Sequence, residues 1–267
     1  MKKTVVRVVA IDLLFLALLI VSGALSGILS EIVYIAAYLL PLSLFIWFAR
    51  GEERVKLTGG ISRADAALFL PLIAPTIAIT VGLSALTAFV TSLVGIGGGE
   101  VLTGSIFELI ILHALLPAVL EEALFRYVPL SVISPHSKRS AIVVSALLFA
   151  VAHCNVEQMP YAFVAGVIFA VIDLSCGSVL PSVVLHFLNN LAGVLWLWDA
   201  SAEMFRLPFI ISVAALVVIS IAMVVIFRGR YAKKASFLLN KNDKISIPPQ
   251  AFVFIVVCLL LAVGALL

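Results

Sequence analysis

The stretch IFELIILHALLPAVLEEALFRYVPLSVI, residues 106–133, places three neighbouring charges inside an otherwise apolar segment. Glu121, Glu122 and Arg126 stand near the middle of a run that is long enough to cross a bilayer as a helix. An ionisable group at that depth costs about 2.5–3.5 kcal/mol on insertion scales, so such groups are candidates for function. The remaining sequence must provide both the membrane fold and the partners of these charges.

The composition predicts a membrane protein. The 267 residues are 64% hydrophobic and 12% charged, whereas a soluble domain is about half apolar and about a quarter charged. Repeated apolar runs near 20 residues favour helices over a barrel. We therefore predict one membrane domain over residues 1–267, an all-α polytopic bundle of about eight or nine transmembrane helices in the cell membrane. The predicted spans are 8–29, 31–49, 66–93, 106–130, 140–156, 160–176, 179–198, 208–227 and 250–267.

The basic residues predict the orientation. With these spans, 15 of the 17 Lys and Arg residues fall on the same side of the membrane as the N-terminus. The loops on the other side hold only Arg206, and Arg126 lies within a span. Cytoplasmic segments of membrane proteins carry such an excess of positive charge. We therefore expect a cytoplasmic N-terminus and a basic cytoplasmic loop at 228–249, next to anionic headgroups. The first span is interpreted as a retained anchor, because it is long and interrupted by Asp12.

Helix geometry separates the two adjacent acids. Glu122 and Arg126 are four residues apart, so they share a helix face and can form an ion pair. Glu121 points about 100° away and has no local partner. The sequence thus predicts that Glu122 is a structural acid, paired with Arg126, and that Glu121 is available for chemistry.

Two further spans carry polar pairs with the same spacing. Phe149 and His153 are four residues apart, as are His186 and Asn190. Counted from the span ends, these groups and Glu121 lie roughly 10–20 Å below the predicted cytoplasmic surface, at about 1.5 Å per residue. Agreement in depth between three helices favours a shared site, although either histidine alone is typical of hydrogen-bonded core residues.

The ordered set EExxxR at 121–126, FxxxH at 149–153 and HxxxN at 186–190 resembles the motifs of the CAAX-protease and bacteriocin-processing family. That family includes the type II CAAX prenyl endopeptidases. The resemblance covers a catalytic core at 106–200, and the flanking helices match only in hydrophobicity. It implies a glutamate-dependent intramembrane endopeptidase whose conical cavity opens to the cytoplasm.

The resemblance also implies roles for single residues. Glu121 would activate water with assistance from His153, while His186 and Asn190 would stabilise the oxyanion. Glu122, Arg126 and Phe149 would be supporting residues. This is consistent with amide hydrolysis, which needs a base, a proton donor for the leaving amine and donors for the oxyanion. No metal or other cofactor is expected. The expected partners are the lipid bilayer and a hydrophobic peptide or membrane-associated protein substrate, with no nucleic acid.

Three alternatives remain from the sequence. Two histidines and a carboxylate could hold zinc, although HExxH is absent and Asn is a poor zinc ligand. The polar groups could instead serve packing in a non-catalytic scaffold or immunity protein. A proton-coupled transporter also uses Glu and His relays, but no paired broken helices are evident. The substrate class stays open between prenylated CAAX tails, pheromone or bacteriocin leader peptides and segments of membrane proteins.

Overall fold

The protein is all-helical in the part that the computed structural model describes, residues 2–48, 59–93, 95, 102–198 and 202–264. Within those ranges the only β-type pairing is an isolated bridge between Leu102 and Trp198. The α-helices are α1 Lys2–Gly23, α2 Gly27–Phe48, α3 Arg63–Phe69, α4 Ile73–Leu93, α5 Ile106–Leu109, α6 Leu116–Glu122, α7 Val128–Ile133, α8 Lys138–Ala152, α9 Gln158–Cys176, α10 Leu180–Leu197, α11 Ala202–Ile226, α12 Arg228–Lys234 and α13 Pro249–Gly264.

In the described residues, helices occur in all nine predicted spans, with ends that differ by up to six residues. Residue 49 of the second predicted span and residues 265–267 of the last lie outside the described residues. The span predicted at 66–93 begins at Arg63 and is divided by a short 3-10 turn, Leu70–Leu72, which contains Pro71. The span predicted at 106–130 continues to Ile133 through α5, α6, α7 and two wider turns. Proline lacks a backbone N–H, so it interrupts the hydrogen bonding of the helix locally without ending the helix.

Five helices in the described ranges are long and apolar enough to cross a bilayer, which confirms a helical multi-pass membrane protein. They are Val6–Gly23, Gly27–Phe48, Arg63–Leu93, Gln158–Cys176 and Leu180–Leu197. α11 and α12 together would make a sixth, bent by 76°. α8 has 15 residues, which is about 22 Å of helix against a hydrocarbon core of about 30 Å. The full count of eight or nine spans stays a prediction, as does the side on which the N-terminus lies.

The centre of the bundle is formed by α8, which is buried along most of its length. It packs closely against α9, where Gly166 faces Ala146. A Cβ placed on Gly166 would lie 3.0 Å from the Ala146 Cα, so the two backbones approach more closely than larger residues permit. This contact brings α8, which His153 follows, and α9, which carries Phe169, against the helix with the EExxxR motif.

One end of the bundle gathers the basic segments. Lys234 forms an ion pair with Asp65, with 2.5 Å between Nζ and Oδ1. The carboxylate of Asp243 accepts hydrogen bonds from the Ser137 hydroxyl and from the backbone N–H of Arg139. The predicted basic loop therefore folds back onto the start of α8. We call this the basic end.

The opposite end of the bundle is formed by the turns and loops that join the other ends of the helices. The hydroxyl of Thr87 donates to the backbone carbonyl of Glu157, over 3.0 Å. The N–H of Leu102 donates to the carbonyl of Leu197, also over 3.0 Å. Because the helices alternate in direction, the turns at 24–26 and 153–157 belong to this end as well.

Candidate active site

The helix with the EExxxR motif is irregular where it carries the charges. A wider π-helical turn, Ala123–Tyr127, follows α6 and precedes α7. Pro129 has no N–H to donate to the carbonyl of Phe125, four residues earlier. That carbonyl accepts instead from the Ser145 hydroxyl at 2.6 Å and from Nη1 of Arg126 at 3.1 Å. The proline thus frees an acceptor that anchors both Arg126 and α8.

Arg126 and Glu122 form the predicted i,i+4 ion pair. Their closest atoms, Nε and Oε2, are 3.5 Å apart, and both side chains are fully buried. The guanidinium carbon lies 4.3 Å from the ring centroid of Phe149 and 5.9 Å from that of Phe169. Stacking on aromatic faces suits a buried guanidinium, because the ring quadrupole attracts the cation.

His186 lies between the two acids. Its Nδ1 is 2.8 Å from Oε1 of Glu122, and its Nε2 is 3.8 Å from Oε2 of Glu121. Because the carboxylate of Glu122 can only accept, Nδ1 carries a proton and donates it in this hydrogen bond, and the bond fixes the direction in which Nε2 points. Glu122 therefore contacts the histidine as well as Arg126, which the helix geometry of the EExxxR segment alone does not reveal.

Glu121 faces an open cavity. Its side chain is 16% exposed, whereas Glu122 is fully buried. The hydroxyl of Tyr38 donates to Oε1 of Glu121 at 3.4 Å. Tyr38 packs against Tyr34, one turn earlier in α2, with ring centroids 5.4 Å apart. Tyr38 lies outside the three motifs, and its signal in the sequence is a tyrosine pair, YIAAY, within an apolar span.

His153 ends α8. Its ring Nδ1 lies 2.8 Å from the carbonyl oxygen of Phe149, so Nδ1 carries the proton and donates. The two rings are edge to face with centroids 4.9 Å apart. Cys154 follows with φ +48°, the left-handed conformation that terminates many helices. In the neutral ring, Nε2 of His153 is then left as the acceptor.

The predicted residues meet at one cavity of about 840 Å³. Glu121, His153, His186 and Asn190 all line it, together with Phe149. Its volume is within the usual range for ligand pockets, about 300–1,000 Å³. The structure therefore brings the four predicted catalytic residues together; Arg126 and Glu122 lie behind the wall, in the supporting positions that the resemblance implies.

The first turn of α10, which positions His186, is held by a residue of the preceding helix. Asp173 is buried, and its Oδ1 accepts from the backbone N–H of Ser182 at 3.1 Å. A carboxylate on the free N–H groups of a helix N-terminus is stabilising. The tight turn between α9 and α10 contains Gly177 at φ +69°, where glycine carries no steric penalty.

Within the described ranges, no group of three or more His, Cys, Asp or Glu side chains is arranged to hold a metal ion. The polar atoms of the cavity instead form pairs, Glu121 with Tyr38 and His186 with Glu122. Such pairs suit proton transfer and hydrogen bonding to a substrate carbonyl.

A comparison with protein families matches residues 103–192 to the family described as Type II CAAX prenyl endopeptidase Rce1-like. No curated protein and no solved structure matches the chain. The match covers about a third of the 267 residues and contains all three motifs. The family resemblance expected from those motifs is thereby confirmed: residues 103–192 of this membrane protein are similar to the Rce1-like family, which is a family of peptidases.

Proposed function

We propose that this protein is an intramembrane endopeptidase that uses Glu121 as its general base. The substrate is a hydrophobic peptide or a membrane-associated protein, and the reaction is hydrolysis of one internal peptide bond. The main support for the proposal is that two adjacent acids lie in different environments, one exposed to the cavity and one fully buried. Glu121 faces the cavity, while Glu122 is buried between Arg126 and His186.

The first step is attack of water on the scissile carbonyl carbon. Glu121 accepts a proton from that water as the carbon–oxygen bond forms, and the Tyr38 hydroxyl holds the carboxylate in position. His153 lies in the same cavity wall with Nε2 as an acceptor, so it can hold the second hydrogen of the water.

The tetrahedral intermediate carries negative charge on the former carbonyl oxygen. Nε2 of a protonated His186 and the amide of Asn190 would donate hydrogen bonds to that oxygen. The carboxylate of Glu122, 2.8 Å from Nδ1, stabilises the imidazolium that this role requires. Donors that are fixed before the reaction are effective because they need no reorganisation in the transition state.

Collapse of the intermediate breaks the carbon–nitrogen bond. The proton taken from water passes to the leaving amine, through Glu121 or His153, so that protons and charge balance over the cycle. No covalent intermediate is required, since the attacking group is water.

The cleavage assay uses purified, detergent-solubilised protein and quenched fluorescent peptides with apolar sequences, with and without a prenylated cysteine. We expect cleavage that persists in a zinc chelator. Asn190→Ala should lower kcat strongly, because an oxyanion donor is worth about 10²–10³ in rate. Asn189→Ala is the matched control: Asn189 is the neighbouring amide, also lines the cavity, and bonds to the Thr80 hydroxyl.

Two results would contradict the proposal. Loss of cleavage in the chelator with recovery on added zinc would identify a metallopeptidase. Equal activity of the Asn190→Ala and wild-type proteins would remove Asn190 from the oxyanion site.

A further inference from the structure

The cavity has its mouth at the end of the bundle opposite to the basic segments. Its lining reaches the last turn of α1 at Ser22, the first turn of α2 at Ser30, the first residue of α9 at Gln158 and the last residue of α10 at Leu197. All of these lie beside the turns of the opposite end. None of the lining residues falls in α3, in α7 or in the loop 240–246 at the basic end.

Independent contacts define the two ends. At the basic end, the Ser178 hydroxyl donates to the Gly59 carbonyl at 2.7 Å, and Nζ of Lys234 donates to the Ser175 carbonyl at 3.3 Å. At the other end, Thr87 binds the backbone of Glu157. The ends are therefore fixed by contacts between elements, without reference to the hydropathy of the helices.

The charge of the two ends differs in sign. On the sequence, the predicted segments on the N-terminal side carry 15 of the 17 basic residues, and twelve of these fall in the described part of the chain, namely Lys2, Lys3, Arg7, Arg63, Lys138, Arg139, Arg228, Arg230, Lys233, Lys234, Lys241 and Lys244. Among the described residues, the segments at the mouth carry the acids Glu31, Glu108 and Glu157, and the sequence of the loops on that side holds one basic residue, Arg206. A bias of this size places the basic end in the cytoplasm.

A cytoplasmic basic end and a cavity open to the cytoplasm cannot both hold, because the mouth and the basic segments lie at opposite ends. The basic residues and the lining of the cavity are features of this chain, whereas the cytoplasmic opening is implied only by the family resemblance. We infer that the mouth opens on the extracytoplasmic face of the membrane, so that the site receives peptide segments from that side. This inference rests on the proposed peptidase function for its substrate, but not for the orientation of the mouth.

The charge of the cavity indicates the chemistry of such a segment. Its lining includes the carboxylates of Glu31 and Glu121, and none of the lining residues is a lysine or an arginine. Such a wall favours an apolar segment with neutral or cationic flanking residues. It disfavours an anionic segment, since the described lining holds no lysine or arginine side chain to pair with it.

Cysteine accessibility tests the orientation without any need for activity. The three native cysteines are replaced by Cys154→Gly, which suits the positive φ, with Cys176→Ala and Cys258→Ala. Single reporters are Ser26→Cys at the mouth end and Lys241→Cys at the basic end, both at exposed positions. A membrane-impermeant maleimide is applied to intact cells and then to permeabilised cells, with labelling in SDS as the total.

We expect Ser26→Cys to react in intact cells to the extent reached after permeabilisation, and Lys241→Cys to react only after permeabilisation. The reverse pattern, or reaction of both reporters in intact cells, would overturn the inference. Thermal stability of each reporter protein, measured by fluorescence-detected gel filtration, shows whether the fold is retained. Val156→Cys, in the exposed turn 153–157, provides a second mouth reporter if Ser26→Cys is unstable.

The peptidase function is tested separately with the same cells. A peptide with cationic flanks, which does not cross the membrane, should be cleaved by intact cells, and its anionic counterpart should be cleaved more slowly. Labelling as expected without cleavage of either peptide, even after permeabilisation, would contradict the peptidase and leave the orientation established. Cleavage only after permeabilisation would contradict the orientation alone.

Discussion

At the scale of single residues, His186 joins the two acids of the EExxxR motif. Glu122 holds Nδ1, and Nε2 points towards Glu121 and the cavity. The buried guanidinium of Arg126 offsets the charge of Glu122 from the other side. Removing any member leaves another buried charge without compensation, which costs more than the ion pair itself contributes.

Tyr38→Phe tests the contribution of α2 to the site. We expect kcat to fall about tenfold with little change in KM, because a long hydrogen bond to a carboxylate is lost, and bonds to charged groups contribute about 1.5–3 kcal/mol at most. The ring packing with Tyr34 and Phe15 should be retained. Tyr231→Phe is the control, because it also loses a hydroxyl, which binds the Leu68 carbonyl far from the cavity. A tenfold loss of kcat in Tyr231→Phe as well would show that the effect is not specific to Glu121.

Arg126→Ala should impair folding before chemistry. It leaves Glu122 buried and uncompensated, a loss of about 3–5 kcal/mol of stability. The measurement is the yield of monodisperse protein and its thermal transition in detergent. Normal yield and an unchanged transition temperature, with cleavage lost, would instead make Arg126 a substrate-binding or catalytic residue.

At the scale of elements, the site depends on contacts between α8, α9 and the irregular helix 106–133. The carbonyl of Phe125, freed by Pro129, binds Ser145 of α8. At the next residue of α8, Gly166 of α9 lies against Ala146 and near Nη2 of Arg126. The two helices thus fix the depth and direction of the guanidinium that pairs with Glu122.

Gly166→Ala tests this close approach. The added methyl group would lie 3.0 Å from the Ala146 Cα and 3.1 Å from Nη2 of Arg126, so we expect a lower transition temperature. Gly82→Ala is the matched control, since Gly82 is a helical glycine of α4 with no atom within 4 Å of an added Cβ. There the gain in helix propensity, up to about 1 kcal/mol, should leave stability equal or higher. Equal effects of the two substitutions would contradict the packing described for α8 and α9.

The sequence predicted the helices well because hydrophobic runs near 20 residues are a strong signal. It also predicted the pair of Glu122 and Arg126, since these residues still share a helix face although the wider turn Ala123–Tyr127 includes Arg126. It could not place His186 against Glu122, because contacts between helices depend on packing. Tyr38 was missed for the same reason: its partner is 83 residues away in the chain.

At the scale of the whole molecule, the basic residues are distributed asymmetrically along the axis of the bundle. The basic segments converge at one end and the cavity opens at the other. The predicted cytoplasmic face and the predicted cytoplasmic cavity were both reasonable when taken separately. The two predictions conflict because contacts such as those of Asp243 with Ser137 and Thr87 with Glu157 place the basic segments and the mouth of the cavity at opposite ends of the bundle.

The central claim is that Glu121 is the base and Glu122 its buried support. The most direct measurement is the single-turnover cleavage rate of Glu121→Gln, with its thermal transition recorded on the same sample. The amide keeps the shape and the bond from Tyr38 but cannot take a proton from water. We predict a rate lower by at least about 10²–10⁴, the scale of general-base catalysis, with an unchanged thermal transition, whereas Glu122→Gln should lower the transition temperature. Wild-type activity in a folded Glu121→Gln protein would contradict the account.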